Sequence, residues 1–230
     1  MKYLFWDIDG TLLLTNKAGV SAFTESIKQR YNLKAFTFSH GLAGRTDNFI
    51  AHQAIRDIKG TSSQEEAVNL LKLYSSMLPD YLQKTKGHLL PNVQTIVKFC
   101  HYNSAYCSCI LTGNCEIAGH AKLNFFKINT LFNFDYSIFG DHNENREQLA
   151  ESAWQKISQA NPQVTKDDVY IIGDTPLDIA CAKAIGVRCL IISAGSFYDE
   201  AQLASCNPWK MIKQLPDNPQ EFMQILSKEA

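Results

Sequence analysis

Three apolar segments of the sequence run into residues that can hold charge or bind an anion. Tyr3 to Trp6 ends in Asp7-Ile8-Asp9-Gly10-Thr11, Cys107 to Ile110 runs into Leu111-Thr112-Gly113-Asn114, and Tyr170 to Ile172 runs into Gly173-Asp174-Thr175-Pro176-Leu177-Asp178. Singly, each acid is as compatible with a turn, or, for Asp178, with the first turn of a helix, where Asp is favoured. Two apolar segments ending in Asp and a third in Thr-Gly-Asn together point to one shared site. If these ends converge, carboxylates about 4 Å apart repel by about 4 kcal/mol at an effective dielectric near 20, so a positive charge has to sit between them. The candidate ligands are hard oxygens with no thiolate or imidazole among them, which favours Mg²⁺, a cation bound through a few carboxylates, waters and a phosphate.

Elements that deliver such ends to one place are visible in the same sequence. Short β-branched and aromatic runs predict strands over 2–8, 105–111, 136–139, 169–172 and 188–192. Most are continuously apolar, as expected of strands covered on both faces in a parallel sheet. Helical periodicity over 115–126, 146–160 and 177–185, the last stopped by Gly186, alternates with them. The expected fold class is therefore α/β, a doubly wound parallel (Rossmann-like) sheet whose ligands bind beyond the carboxyl ends of the strands. Residues 16–87 break the rhythm, with helical patterns over 18–31, 46–57 and 63–84 and no strand, and read as an inserted α-helical cap domain. Residues 1–15 and 88–230 would then form the catalytic core, with hinges at Thr15-Asn16-Lys17 and Lys86-Gly87-His88. The tail turns at 216–219 and continues as a short amphipathic helix expected to end near Lys228.

Composition narrows the partners. With 22 Lys and Arg against 23 Asp and Glu, the net charge of -1 offers no polybasic footprint for nucleic acid or an anionic membrane, so a small molecule is the expected partner. Asp7 and Asp9 interrupt the first apolar run, so no signal peptide is expected, and no stretch approaches the ~18 apolar residues of a membrane span. Seven cysteines with no paired metal-ligand spacing read as reduced packing residues of a cytoplasmic protein, expected to be a monomer or weak dimer. The six histidines are scattered and form no ligand pair.

The three motifs, in this order, resemble the signature of the haloacid dehalogenase-like (HAD) hydrolase superfamily, and the helical insertion after the first strand resembles the mobile cap of its phosphoglycolate phosphatase and β-phosphoglucomutase-like group. The resemblance implies that Asp7 is a nucleophile forming an aspartyl-phosphate, and that Asp9 is the general acid and then the general base. Gly10 would permit the bend that turns both carboxylates toward one phosphoryl group, with Thr11 beside it in the phosphate-facing turn. Thr112, the Gly113 amide and Asn114 would hold phosphoryl oxygens at the start of a helix, although Thr112 also suits a helix N-cap. Asp174 would ligate Mg²⁺ with Asp7 and the Asp9 main-chain carbonyl, and Asp178 would act through water or by orienting a cationic residue. For that cation, Arg146 in "DHNENREQL" is the choice, with Lys122, Lys156 and Lys166 as rivals, because the proline-flanked Lys common in relatives is absent. "GLAGRTDNF" resembles the specificity loop of relatives, so that Arg45 reaches the leaving group or else lies on the surface beside a Thr46 helix cap.

The resulting expectation is a Mg²⁺-dependent phosphatase cleaving a small phosphorylated metabolite. Phosphorus is the expected electrophile because Asp9 has a leaving alkoxide to protonate, which haloalkanoate chemistry lacks. A phosphosugar mutase uses the same residues and stays open. A phosphonate hydrolase would need a cap lysine, and Lys17, Lys28 and Lys34 suit it poorly. A catalytically inactive binding module has no physical need of a costly acidic cluster.

Overall fold

The computed structural model describes residues 1–227. The strands along the chain are β1 (Lys2–Trp6), β2 (Leu13–Leu14), β3 (His88–Leu89), β4 (Tyr106–Ile110), β5 (Val169–Gly173), β6 (Arg188–Ile192) and β7 (Lys210–Ile212). The α-helices are α1 (Ala18–Tyr31), α2 (Asp47–Lys59), α3 (Gln64–Thr85), α4 (Val93–Tyr102), α5 (Glu116–Phe125), α6 (Arg146–Ala160), α7 (Pro176–Ile185), α8 (Glu200–Ser205) and α9 (Pro219–Ser227). The sheet order is β4-β1-β5-β6-β7, with every pairing parallel, while β2 and β3 form a separate antiparallel pair. This is the expected α/β class. The expected helix end near Lys228 lies outside the described residues.

The continuous apolar runs are explained by burial on both faces, since side chains alternate across a strand. Leu4 and Trp6 of β1, Tyr170 and Ile172 of β5, and Leu190 and Ile192 of β6 join one core, completed by Ile96 and Val97 of α4 and Phe222 of α9. Their neighbours Tyr3, Phe5, Val169, Ile171, Cys189 and Ile191 join the opposite core, covered by Leu149 and Ala153 of α6 and Ile179 and Ala182 of α7. Cys100, Cys107, Cys109, Cys115, Cys181 and Cys189 are buried within the apolar clusters.

Helices α1, α2 and α3 pack on a cluster of their own that includes Phe23, Ile27, Ile55, Leu70, Tyr74 and Leu78, extended by Ala118 of α5 and by Cys115 just before it. Thr46 caps α2 by accepting from the Phe49 amide at 3.0 Å, and Ser63 with Glu66 forms a capping box on α3. The two chain crossings into this layer are stitched together: Asn16 Nδ2 donates to the carbonyls of Thr85 and Lys86, and Thr85 Oγ1 donates to Thr15 O at 2.7 Å.

One expected strand does not form. Residues 136–139 make a single parallel bridge, Ile138 with Leu111. The hydroxyl of Ser137 intercepts the Ile110 amide at 2.8 Å, so the ladder that would extend the pairing loses its donor. The far edge is instead β7, a three-residue strand too short to show a period.

Candidate active site

Asp7 continues the β1 ladder by one residue, its amide donating to Ile172 O at 2.9 Å. It therefore keeps the parity of Tyr3 and Phe5 and faces the side covered by α6 and α7. Arg146 opens α6 and Asp178 lies in the first turn of α7, so both meet Asp7 at the carboxyl end of the sheet. Arg146 Nη2 is 3.0 Å from Asp7 Oδ2 and 2.5 Å from Asp178 Oδ1, and Nη1 donates to Gly44 O at 3.0 Å. The buried Arg146 Nε has no partner among the described residues.

Beyond Asp7 the chain reverses sharply, with the Leu12 amide donating to Ile8 O at 2.9 Å and the Gly10 amide to Leu13 O at 2.9 Å. Gly10 has φ +84, and a Cβ there would lie 2.3 Å from Asp174 Oδ2. No other residue type fits both demands. Thr11 donates its hydroxyl to Asp174 Oδ1 at 3.0 Å. That hydroxyl supports the acid and does not line the cavity described below.

Oxygens of Asp7, Asp174 and Asp178 all lie within 4.8 Å of one another. All three side chains are buried, and the guanidinium of Arg146 pairs with two of the three carboxylates, Asp7 and Asp178. Burial raises the Asp7 carboxyl above its usual range, Arg146 opposing and Asp178 adding to it. Burial pushes the Asp174 carboxyl well above its usual range, with Asp178 and then Asp7 adding to the effect. Asp178 is engaged by three donors besides Arg146, Oδ2 accepting from the Asp174 amide at 3.2 Å, the Thr175 amide at 3.0 Å and the Thr175 hydroxyl at 2.7 Å, while its own amide donates to Thr175 Oγ1. The excess of negative oxygens, with no histidine or thiolate among them, fits a hard divalent cation such as Mg²⁺.

A second basic residue meets the second acid. Lys122, on the buried face of α5, places Nζ 2.5 Å from Asp9 Oδ2 and 2.5 Å from Asn114 Oδ1. Asn114 Nδ2 donates to Asp9 Oδ2 at 2.9 Å and to Thr112 Oγ1 at 2.8 Å. Burial opposes the charge on Lys122, but Asp9 and Asp47 outweigh it and raise its pKa. Both candidates for the neutralising cation are therefore at the site, Arg146 on Asp7 and Lys122 on Asp9. Lys156 is exposed on α6 and Lys166 packs over the Trp154 ring, so neither is brought there.

Thr112 does not cap α5. Its N-cap residue is Cys115, whose amide donates to Asp47 Oδ2 at 2.9 Å. The loop before α2 lies directly on this motif: the Asp47 amide donates to Gly113 O at 2.7 Å, and a Cβ at Gly113 would lie 2.2 Å from Arg45 O. The Arg45 side chain is exposed, its guanidinium 4.8 Å from the Phe49 ring centre, at the edge of a cavity of about 500 Å³ that reaches Asp7 and Asp9. Asp47 and Tyr74 also line this cavity and escaped the sequence reading. Lys122 had a legible signal, a lysine in phase with Cys115, Ala118, Gly119 and Leu123 on the buried side of a helix. Asp47 had none beyond its place at a helix start.

The sequence profile of haloacid dehalogenase-like hydrolases matches residues 4–192. The chain belongs to this family. Among solved structures it is similar to a hydrolase from Pseudomonas syringae (17% identity, 99% of this chain and 100% of that one, TM-score 0.71). It is similar also to CbbY from Rhodobacter sphaeroides in complex with phosphate (12% identity, 93% and 94%, TM-score 0.71). A predicted phosphoglycolate phosphatase from Haemophilus somnus is another such structure (16% identity, 98% and 97%, TM-score 0.66). A comparison with curated proteins finds no match. At these identities the structural likeness carries the fold, and for this haloacid dehalogenase-like hydrolase the chemistry rests on the site itself. No helix among the described residues is long and apolar enough to cross a membrane.

Proposed function

We propose that this hydrolase is a Mg²⁺-dependent phosphatase that cleaves a small phosphomonoester through an aspartyl-phosphate on Asp7. The observation that carries the reading is the pairing of two differently supported acids at one strand end: Asp7 among Asp174, Asp178 and Arg146, and Asp9 held by Lys122 and Asn114. A carboxylate that attacks phosphorus and a carboxyl that handles the proton need these separate environments.

In this reading an Asp7 carboxylate oxygen forms a bond to phosphorus as the ester P–O bond breaks, and Asp9 passes a proton to the departing alkoxide. Water then displaces phosphate from Asp7, giving its proton to Asp9. Lys122 and Asn114 fix Asp9 Oδ2, while Oδ1 bonds no protein group among the described residues. Thr112 and the Gly113 amide receive the phosphoryl oxygens, with Asn114 bracing Thr112 and Asp9 beside them and Gly10 allowing the approach, and Arg146 offsets the charge of Asp7. Mg²⁺ would be held by Asp7, the Asp9 carbonyl and Asp174, with Asp178 behind them, and when bound it offsets the charge of the nucleophile and of the transferring group. Residues 16–87 serve as the cap and 1–15 with 88–230 as the core, flexing at 15–17 and 86–88. Arg45, at the cavity edge, meets the outer part of the leaving group. The similarity to structures described as a hydrolase and a phosphoglycolate phosphatase supports the reading, as does the composition, which suits a cytoplasmic protein with a small-molecule partner.

Purified protein with Mg²⁺ and p-nitrophenyl phosphate is expected to release phosphate, and Asp7→Asn to lose at least about 10³-fold in kcat with its fold intact. Near-native turnover by that variant would remove Asp7 from its role. Silence of the native protein across a broad panel of phosphomonoesters would favour a binding module, and phosphate migrating on a sugar bisphosphate would make it a mutase.

A further inference from the structure

We infer that the wall of the cavity built by α1, the loop before α2, α2 and α3 receives an apolar leaving group, anchored by one hydrogen bond from Tyr74. The substrate class is a monoester of an alcohol with an aromatic or branched aliphatic body and one hydroxyl or carbonyl near the ester oxygen. The inference rests on the phosphatase reading and adds what the ester carries.

Val20 and Phe23 of α1, Leu42, Ile50 of α2 and Tyr74 of α3 line the cavity that reaches Asp7 and Asp9. Phe23 and Tyr74 stack with ring centres 4.6 Å apart, an aromatic pair within this wall. Tyr74 is only 1% exposed, yet its hydroxyl makes no hydrogen bond within the described residues. Among the described residues the buried side-chain N or O atom without a partner is Arg146 Nε, so the Tyr74 hydroxyl opens onto the cavity, with a spare donor for a ligand or a water. A Cβ at Gly19 would lie 3.5 Å from Tyr74 Oη and 3.7 Å from Lys122 Nζ, so the hydroxyl and the lysine that holds Asp9 border the same point of the cavity wall. That places it near the proposed leaving oxygen. Burial raises the Tyr74 pKa well above its ordinary value, so it remains a proton donor at neutral pH.

The buried part of this wall offers one other polar side chain, Asp47, which already accepts from the Cys115 amide. A polyhydroxylated sugar would leave several hydroxyls there unpaired, at a cost an apolar body avoids. The rim continues the pattern. Phe197, 84% exposed, and Val20, 44% exposed, both line the same cavity. Lys122 and Arg146 are committed to carboxylates, and the cations left on the lining, Lys17 and Arg45, are exposed at its edge.

The test compares kcat/KM, with Mg²⁺, for 2-phenylethyl phosphate, 2-hydroxy-2-phenylethyl phosphate, phosphoglycolate and glucose 6-phosphate, in the native protein and in Tyr74→Phe. The native protein is expected to prefer the hydroxylated aryl ester about 10-fold or more over phosphoglycolate and glucose 6-phosphate. It should also prefer that ester about 10-fold over the deoxy counterpart, through KM, an advantage that Tyr74→Phe abolishes. Better turnover of phosphoglycolate or glucose 6-phosphate overturns the inference while the phosphatase reading stands, and an undiminished hydroxyl advantage in Tyr74→Phe removes Tyr74 from the anchor. Calorimetric binding of the same esters to Asp7→Asn supplies the ranking without turnover. If the native protein hydrolyses none of them, the phosphatase reading is in doubt and the binding order still decides the apolar wall: aryl esters first upholds it, the others first refutes it.

Discussion

Asp174 shows how much of this site is held against its own charge. Its carboxyl is raised by burial and by Asp178 and Asp7, so the folded protein binds a proton there more tightly than the unfolded chain does. The stability this contributes is present below the unfolded pKa and is lost as pH rises through the folded value, which leaves a penalty at neutral pH without a cation. Asp174→Asn keeps an acceptor for Thr11 and removes that penalty. In EDTA at pH 7.5 the variant is expected to melt a few degrees above the native protein. Mg²⁺ at about 100 times its Kd should stabilise the native protein by about 2.7 kcal/mol and the variant by far less. Equal Mg²⁺ shifts in paired thermal melts would take Asp174 out of the metal site. Asp7, Asp9 and Asp174 were legible because an acid ending an apolar strand breaks a pattern. Lys122 and Arg146 were harder to rank, since a cation's partner depends on where two helices start relative to one sheet edge.

Among the elements, the strands with tips at the site were the readable part, because burial on both faces leaves an unbroken apolar run. The expected strand over 136–139 was misread for a local reason, the Ser137 hydroxyl taking the Ile110 amide, which no pattern of apolar residues reveals. The contact between the loop before α2 and the loop after β4 was equally invisible in sequence, since it is made by main-chain atoms: Arg45 O, the Asp47 amide and Gly113. It yields a sharp expectation. Gly113→Ala would place a methyl 2.2 Å from Arg45 O, so one loop has to move. Turnover should fall about 10- to 100-fold with a melting temperature within a few degrees of native, because a displacement near 1 Å at a positioning loop costs rate far more than stability. Native kcat/KM in that variant would mean that the two loops part freely during turnover.

The whole molecule is joined across this seam by Asp47, whose carboxyl burial pushes from 3.8 up to about 6 even with Lys122 nearby. A raised carboxyl favours folding while protonated, so its contribution is complete below about pH 4 and disappears as pH climbs through 6. The loss corresponds to about 3 kcal/mol for a shift near two units. Asp47→Asn keeps an oxygen for the Cys115 amide and removes the titration. Denaturant unfolding should therefore show the variant gaining on the native protein between pH 4 and 6.5 and holding a roughly constant advantage above; parallel curves would show that Asp47 ionises freely. The Asp47 amide also donates to Gly113 O at 2.7 Å, the Asn48 amide to Gly140 O at 3.3 Å, and Arg146 to Gly44 O at 3.0 Å. These fastenings all end on main-chain carbonyls, and in the proposed phosphatase the product phosphate would leave past them. Throughput is then expected to be governed by traffic and not by bond-breaking. Mild injury to the chemical machinery would go unnoticed at saturating substrate, and a thickened solvent would slow a healthy enzyme more than a crippled one.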